Sequence, residues 1–176
     1  MDDLLARRQR AWRRLGAGAL AAALVMALTA CDPQRAEKLV EDVSTEADVR
    51  RLFGEPKTVT IAADGTRTLD YPRQPEGYAN YVMVIGADGK LKSLRQLLNA
   101  DNFSRIQPGM TRDEVIQRLG PFAQERRFDL KKETLLEWRF REGQEARIFG
   151  VSFDEAGRVL STATTLDPRQ SQPGGN

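Results

Sequence analysis

Residues 45–54 and 111–120 follow one local pattern, and its recurrence at a spacing of 66 residues restricts the 176-residue chain to folds assembled from two copies of a small unit. In the second copy, IQPGMTRDEVIQRLGP (residues 106–121), Thr111 is placed as a helix N-cap, and Glu114, three positions on, completes a capping box. Met110 before the cap and Val115 after it suit a hydrophobic staple, while Gly120 and Pro121 end the helix. The shift places Thr45 on Thr111, Asp48 on Glu114, Val49 on Val115, Phe53 on Leu119 and Gly54 on Gly120.

After each helix the apolar period changes to two, the signature of strands with one buried face. In the first copy, strands are expected over Thr58 to Ala62 and Arg67 to Tyr71 around Asp64-Gly65, then over Tyr78 to Ile85 and Leu91 to Leu98 around Asp88-Gly89. In the second, Asn99 caps a short helix reaching Ile106. Strands follow at Gln124 to Phe128, Leu135 to Arg141, Arg147 to Phe153 and Arg158 to Thr165. Trp138, Phe140, Phe149 and Phe153 alternate with polar residues and are assigned to the core of a half-buried sheet.

The predicted fold class is therefore α+β, two tandem helix-turn-helix units, each with an antiparallel sheet of three or four strands covered on one face by helices. The first unit spans residues 39–98, with a helix expected over Ala36 to Val43 leading from the tether into it, and the second spans residues 99–166. About 60 residues apiece is marginal for independent stability, so the two are expected to pack together. Residues 167–176, rich in Pro, Gly, Gln and Ser, read as a disordered tail.

The first fourteen residues hold five arginines and two aspartates and precede an apolar run from Leu15 to Leu28. That run is too short for an ordinary membrane span and suits the hydrophobic region of a secretory signal. The sequence LTAC then ends on Cys31, the only cysteine, and resembles a lipobox. The resemblance implies a signal peptide over residues 1–30, lipidation of Cys31, and a tether over residues 31–38 that anchors the protein to a membrane by several acyl chains. Asp32 resembles an inner-membrane retention signal in enteric bacteria and sets that membrane against the outer one.

Removing the leader turns the formal net charge of +2 into about −1, which leaves no basic excess to recruit nucleic acid. Histidine is absent, so the commonest general base and metal ligand is missing, and no phosphate-loop motif is present. No metal or cofactor is expected. The adjacent carboxylates Glu41 with Asp42 and Asp154 with Glu155 fall at helix ends or turns and read as surface groups. A local basic cluster, Arg126, Arg127, Lys131 and Lys132, surrounds a hairpin turn and is read as solvated charge or as a contact for anionic lipid headgroups.

The GMT turn, the staple valine, the Leu-Gly-Pro exit and the aromatic strands after it, over roughly Asn99 to Leu166, resemble the SmpA/OmlA (BamE) family of small bacterial envelope lipoproteins. Matching positions are Phe103, Ile106, Gly109, Met110, Thr111, Val115, Leu119, Gly120, Pro121, Trp138, Phe140, Phe153 and Gly157. The resemblance implies an outer-membrane lipoprotein on the periplasmic face that supports the machinery inserting β-barrel proteins. It also implies partner contacts in the region of Phe103, Arg105, Ile106, Gly109 and Met110.

The family's assembly subunit has one such unit, whereas this chain carries two, and Asp-Val-Ser-Thr (residues 42–45) stands where the first lacks the Gly-Met pair. The tandem arrangement resembles the architecture of β-lactamase inhibitory proteins, which bind an enzyme on a concave sheet surface. Three functions follow: a non-enzymatic lipoprotein supporting envelope assembly or integrity, an anchored binding or inhibitor-like module marked by exposed sheet aromatics, and an enzyme, which would need a carboxylate pair in a cleft.

Overall fold

The computed structural model describes residues 32–171; the expected leader and Cys31 lie outside the described residues. The described residues fall into two units, 32–38 and 39–171. In the first, helix α1 (Asp32–Ala36) carries an Arg35–Asp32 ion pair of 3.4 Å. The helix expected over Ala36 to Val43 does not form. Asp42 adopts φ +61°, outside the helical region, and its N–H donates to the Leu91 carbonyl at 2.7 Å.

The second unit holds both repeats. In the first repeat, α2 (Glu46–Phe53) is followed by β1 (Thr58–Ile61), β2 (Arg67–Pro72), β3 (Asn80–Ile85) and β4 (Leu91–Gln96). In the second, α3 (Ala100–Ser104) and α4 (Arg112–Leu119) precede β5 (Gln124–Phe128), β6 (Glu133–Glu142), β7 (Glu145–Phe153) and β8 (Val159–Leu166). Each set of strands forms a four-stranded antiparallel meander in chain order, so the fold is α+β with two such sheets.

The repeat extends to individual hydrogen bonds. Thr45 and Thr111 both cap their helices, with Asp48 and Glu114 closing capping boxes. The Thr111 backbone and hydroxyl donate to Glu114 and hold that carboxyl below its ordinary value, as Thr45 does for Asp48. Both helices stop at a glycine of positive φ, Gly54 at +80° and Gly120 at +75°. An aromatic from the second strand then seals each exit: Tyr71 Oη donates to the Gly54 carbonyl at 3.1 Å, and Trp138 Nε1 to that of Gly120 at 2.9 Å. Even the register shifts recur, at Val84/Ile85 and Ser152/Phe153.

Leu69, Tyr71, Tyr81 and Met83 bury one face of the first sheet, where Phe53 of α2 stacks edgewise on Tyr81 at 5.3 Å. The second sheet buries Leu136, Trp138, Phe140, Phe149, Val151 and Phe153 together with Phe103, Val115 and Leu119 of its helices. At about 25 cal/mol per Å² of apolar surface, these aromatics dominate the packing energy.

The opposite face of the first sheet turns toward the second repeat. Asn80, 1% exposed, donates from Nδ2 to the carbonyls of Leu119 and Pro121 at 2.7 and 2.9 Å, satisfying the end of α4 with a side chain from the other repeat. Gln74 brackets the backbone of Arg139, donating to its carbonyl at 2.8 Å and accepting its N–H at 3.2 Å. The chain past β8 also departs from the expected disordered tail at its start: Asp167 is buried beside Arg139 at 3.4 Å, and Pro168–Ser171 forms a 3₁₀ turn. Arg169, two residues on, holds the same carboxylate, donating its backbone N–H at 3.0 Å and placing Nε 3.6 Å away.

Candidate functional site

Along β2, β3 and β4 the register sets Asp70 beside Val82 and Val82 beside Arg95, all on the face of the first sheet that α2 leaves open. Helices α3 and α4 of the second repeat stand across from it. Between them runs a groove of about 1190 Å³ lined by Asp70, Arg95, Arg105, Met110 and Arg118 among others, and a smaller recess of about 290 Å³ shares Asp70 and Val82.

The groove lining carries three carboxylates, Asp70, Asp101 and Glu114, and three arginines, Arg95, Arg105 and Arg118. Asp70 is partly buried with no side-chain hydrogen bond or ion pair among the described residues, and burial raises its pKa. Arg95, Arg105 and Arg118 form no ion pairs among the described residues, and the Nε of Arg118 is buried with no hydrogen-bond partner. Elsewhere arginines are engaged: Arg112 binds Glu125 at 2.8 Å, and Arg67 binds Glu46 at 2.7 Å. A concave wall that holds half-buried Asp70 and Arg118 without ion-pair partners and exposed Arg95 and Arg105 beside them is suited to bind a polar chain segment.

The residues expected to contact a partner separate here. Phe103 and Ile106 are 9% and 4% exposed and belong to the core, with Phe103 stacked on Phe149 at 4.1 Å, so neither offers surface. Arg105 is exposed and, with half-buried Met110, lines the groove. Gly109 has φ +86° and open space where a Cβ would sit, so its requirement is the backbone conformation that Asp42 meets in the first repeat.

The basic cluster is largely neutralised. Arg126 binds Glu137 at 2.5 Å, Arg127 lies 3.3 Å from Glu125, and Lys132 reaches Glu155 at 3.1 Å, while Lys131 shows no ion pair among the described residues. The adjacent carboxylates also have structural partners: Glu41 accepts the Leu94 N–H, Asp42 binds Lys92, and Asp154 accepts the Arg158 N–H. Among the described residues no group of three or more acidic side chains is placed to hold a metal.

Asp70, Arg95 and Arg118 escaped the sequence reading. Asp70 was visible as the polar partner of Leu69 and Tyr71 in an alternating strand, but alternation alone assigns such a residue to solvent.

No family model and no curated protein matches the sequence. Among solved structures, the chain is similar to a putative osmotically inducible lipoprotein, OsmE, at 18% identity over 40% of this chain and 82% of that one, with a TM-score of 0.35. It is also similar to a DUF4309 family protein (YjgB) from Bacillus subtilis, at 18% identity over 77% and 86% of the two chains, with a TM-score of 0.32. A third is a putative β-lactamase inhibitor protein from Streptococcus mutans, at 10% identity over 76% and 94%, with a TM-score of 0.33. Likenesses at this level carry no functional argument.

Proposed function

We propose that this protein is a lipid-anchored, non-enzymatic envelope lipoprotein whose folded unit binds another envelope protein through the groove between the first sheet and helices α3 and α4. The observation that supports this reading is that Asp70, Arg95, Arg105 and Arg118, none of them in an ion pair among the described residues, line one groove. Half-buried Asp70 and Arg118 are desolvated without an ion-pair partner, a cost that a bound segment offsets. Anchoring rests on the leader and the LTAC sequence. Among the described residues no helix is long and apolar enough to cross a membrane.

Two experiments test the reading. A photo-crosslinking side chain at Arg95 or Arg105, in the full-length protein in cells, yields a discrete heteromeric adduct, whereas one at Leu130, fully exposed in the turn between β5 and β6, does not. Equal labelling at all three positions overturns the groove as the binding surface. For the anchor, Cys31→Ala leaves an uncleaved precursor without palmitate label, and normal size and labelling in that variant refute lipidation.

Support of outer-membrane protein assembly is the finer form of this proposal, resting on the SmpA/OmlA resemblance alone. Recovery of barrel-assembly subunits as the crosslinked partner and cofractionation with the outer membrane are its tests. In the inhibitor-like alternative, the partner is a soluble periplasmic enzyme. Of the sheet aromatics, Trp138, Phe140, Phe149 and Phe153 lie in the core, and Phe128 on β5, 42% exposed, is the one that such a partner would meet.

A further inference from the structure

Each sheet has two edges, and three of the four are short or charged. Strand β1 has four residues, β4 carries Lys92 and Arg95, and β5 carries Glu125, Arg126 and Arg127. Strand β8 is different: eight residues, VLSTATTL, without charge or proline and exposed at every position after Val159. Natural proteins protect such edges, because a row of unpaired N–H and C=O groups is a template for another strand.

The two repeats treat this edge differently. On β4, the Leu94 N–H points away from β3 and is satisfied by the Glu41 carboxylate at 3.0 Å. On β8, the Asp167 N–H donates inward to Ala146 at 2.9 Å, and the β7–β8 register is unbroken from Ser161 to Leu166. Backbone alternation therefore directs Thr162, Thr164 and Leu166 to the open edge. Loop residues Gly109 and Met110 cover only Val159, each through a 2.8 Å bond. Among the described residues nothing meets the outward amides of Thr162, Thr164 or Leu166.

We propose that β8 pairs with β8 of a second copy of this chain, antiparallel about a two-fold axis at Ala163. The sequence supports self-pairing: LSTATTL reads almost the same in reverse, so the axis sets Leu160 against Leu166, Ser161 against Thr165 and Thr162 against Thr164. Thr162 and Thr164 are both directed outward, as a hydrogen-bonded pair requires, while Ala163 meets its copy at a position of closer approach. Leu166, 60% exposed, would lie across the seam from the bulged residue Leu160, 45% exposed. No charge lies between residues 160 and 166 to oppose a like charge. The contact is isologous and closed, making a dimer with a continuous eight-stranded sheet rather than a filament.

The test uses the full-length protein purified in detergent micelles, with sedimentation velocity and oxidative crosslinking of Ala163→Cys as readouts. A Cα separation near 4.5 Å at a pair without hydrogen bonds suits a disulfide, so Ala163→Cys should form a covalent dimer in membranes, while Leu130→Cys and the parent chain should not. Thr164→Pro removes an outward N–H and no bond to β7, so it should retain the parent's circular dichroism and weaken dimerisation at least tenfold. A monomer at all concentrations overturns the proposal, as does a dimer indifferent to Thr164→Pro. Crosslinking of position 163 to a different protein also overturns it and identifies an extended segment of that protein as the occupant.

Discussion

Single residues carry the sharpest contrasts. Gly109 and Gly120 both have positive φ, but a Cβ at Gly109 meets open space, whereas at Gly120 it would lie 2.9 Å from Asn80 Nδ2. Gly109→Ala should cost about 1 kcal/mol, the strain of a left-handed alanine. Gly120→Ala should cost roughly 2–4 kcal/mol, since it also pushes Asn80 off the buried carbonyls it satisfies. Urea unfolding of both variants checks the order. Asp70→Asn should raise the melting temperature at neutral pH and weaken groove binding. Burial raises the folded-state pKa of Asp70, so the wild type loses stability as pH rises from the unfolded aspartate range through that raised value, while Asn does not. Equal melting temperatures at pH 7 that stay equal on acidification would refute the assignment.

At the scale of elements, the two helix exits sealed by Tyr71 and Trp138 make matched experiments. Tyr71→Phe keeps the ring and deletes the bond to Gly54, and should cost about 1 kcal/mol by thermal denaturation. Thr45→Ala and Thr111→Ala should each cost about 0.5–2 kcal/mol, because each opens a complete capping box. The caps and strands were legible in the sequence because their signals are local: a cap and its partner lie three residues apart, and strands declare themselves by alternation. Phe103 and Ile106 were legible as core by the same reasoning, but family resemblance assigned them to a partner. Asp42 escaped because positive φ at a non-glycine residue has no strong sequence mark. The buried Asp167 and the groove escaped for a different reason: Arg139 and the facing helices reach them only through tertiary packing.

For the molecule as a whole, Asn80 and Gln74 tie the repeats into one compact unit, so unfolding should be a single cooperative transition. Trp138 is the one tryptophan past the leader and reports the second repeat, while far-ultraviolet circular dichroism reports both. The two melting curves should coincide in the parent protein and separate in Asn80→Ala, which leaves two buried carbonyls without their donor. The same asparagine also limits how far duplication can extend this fold. Counting along the matched sheets, the position equivalent to Asn80 in the second repeat is Ile148, which has no amide to offer the helix exit of a following unit. Each sheet could act as a socket for the next helix, but only the first is equipped to do so. The two repeats therefore share a backbone plan but not the polar side chain by which one of them holds its neighbour.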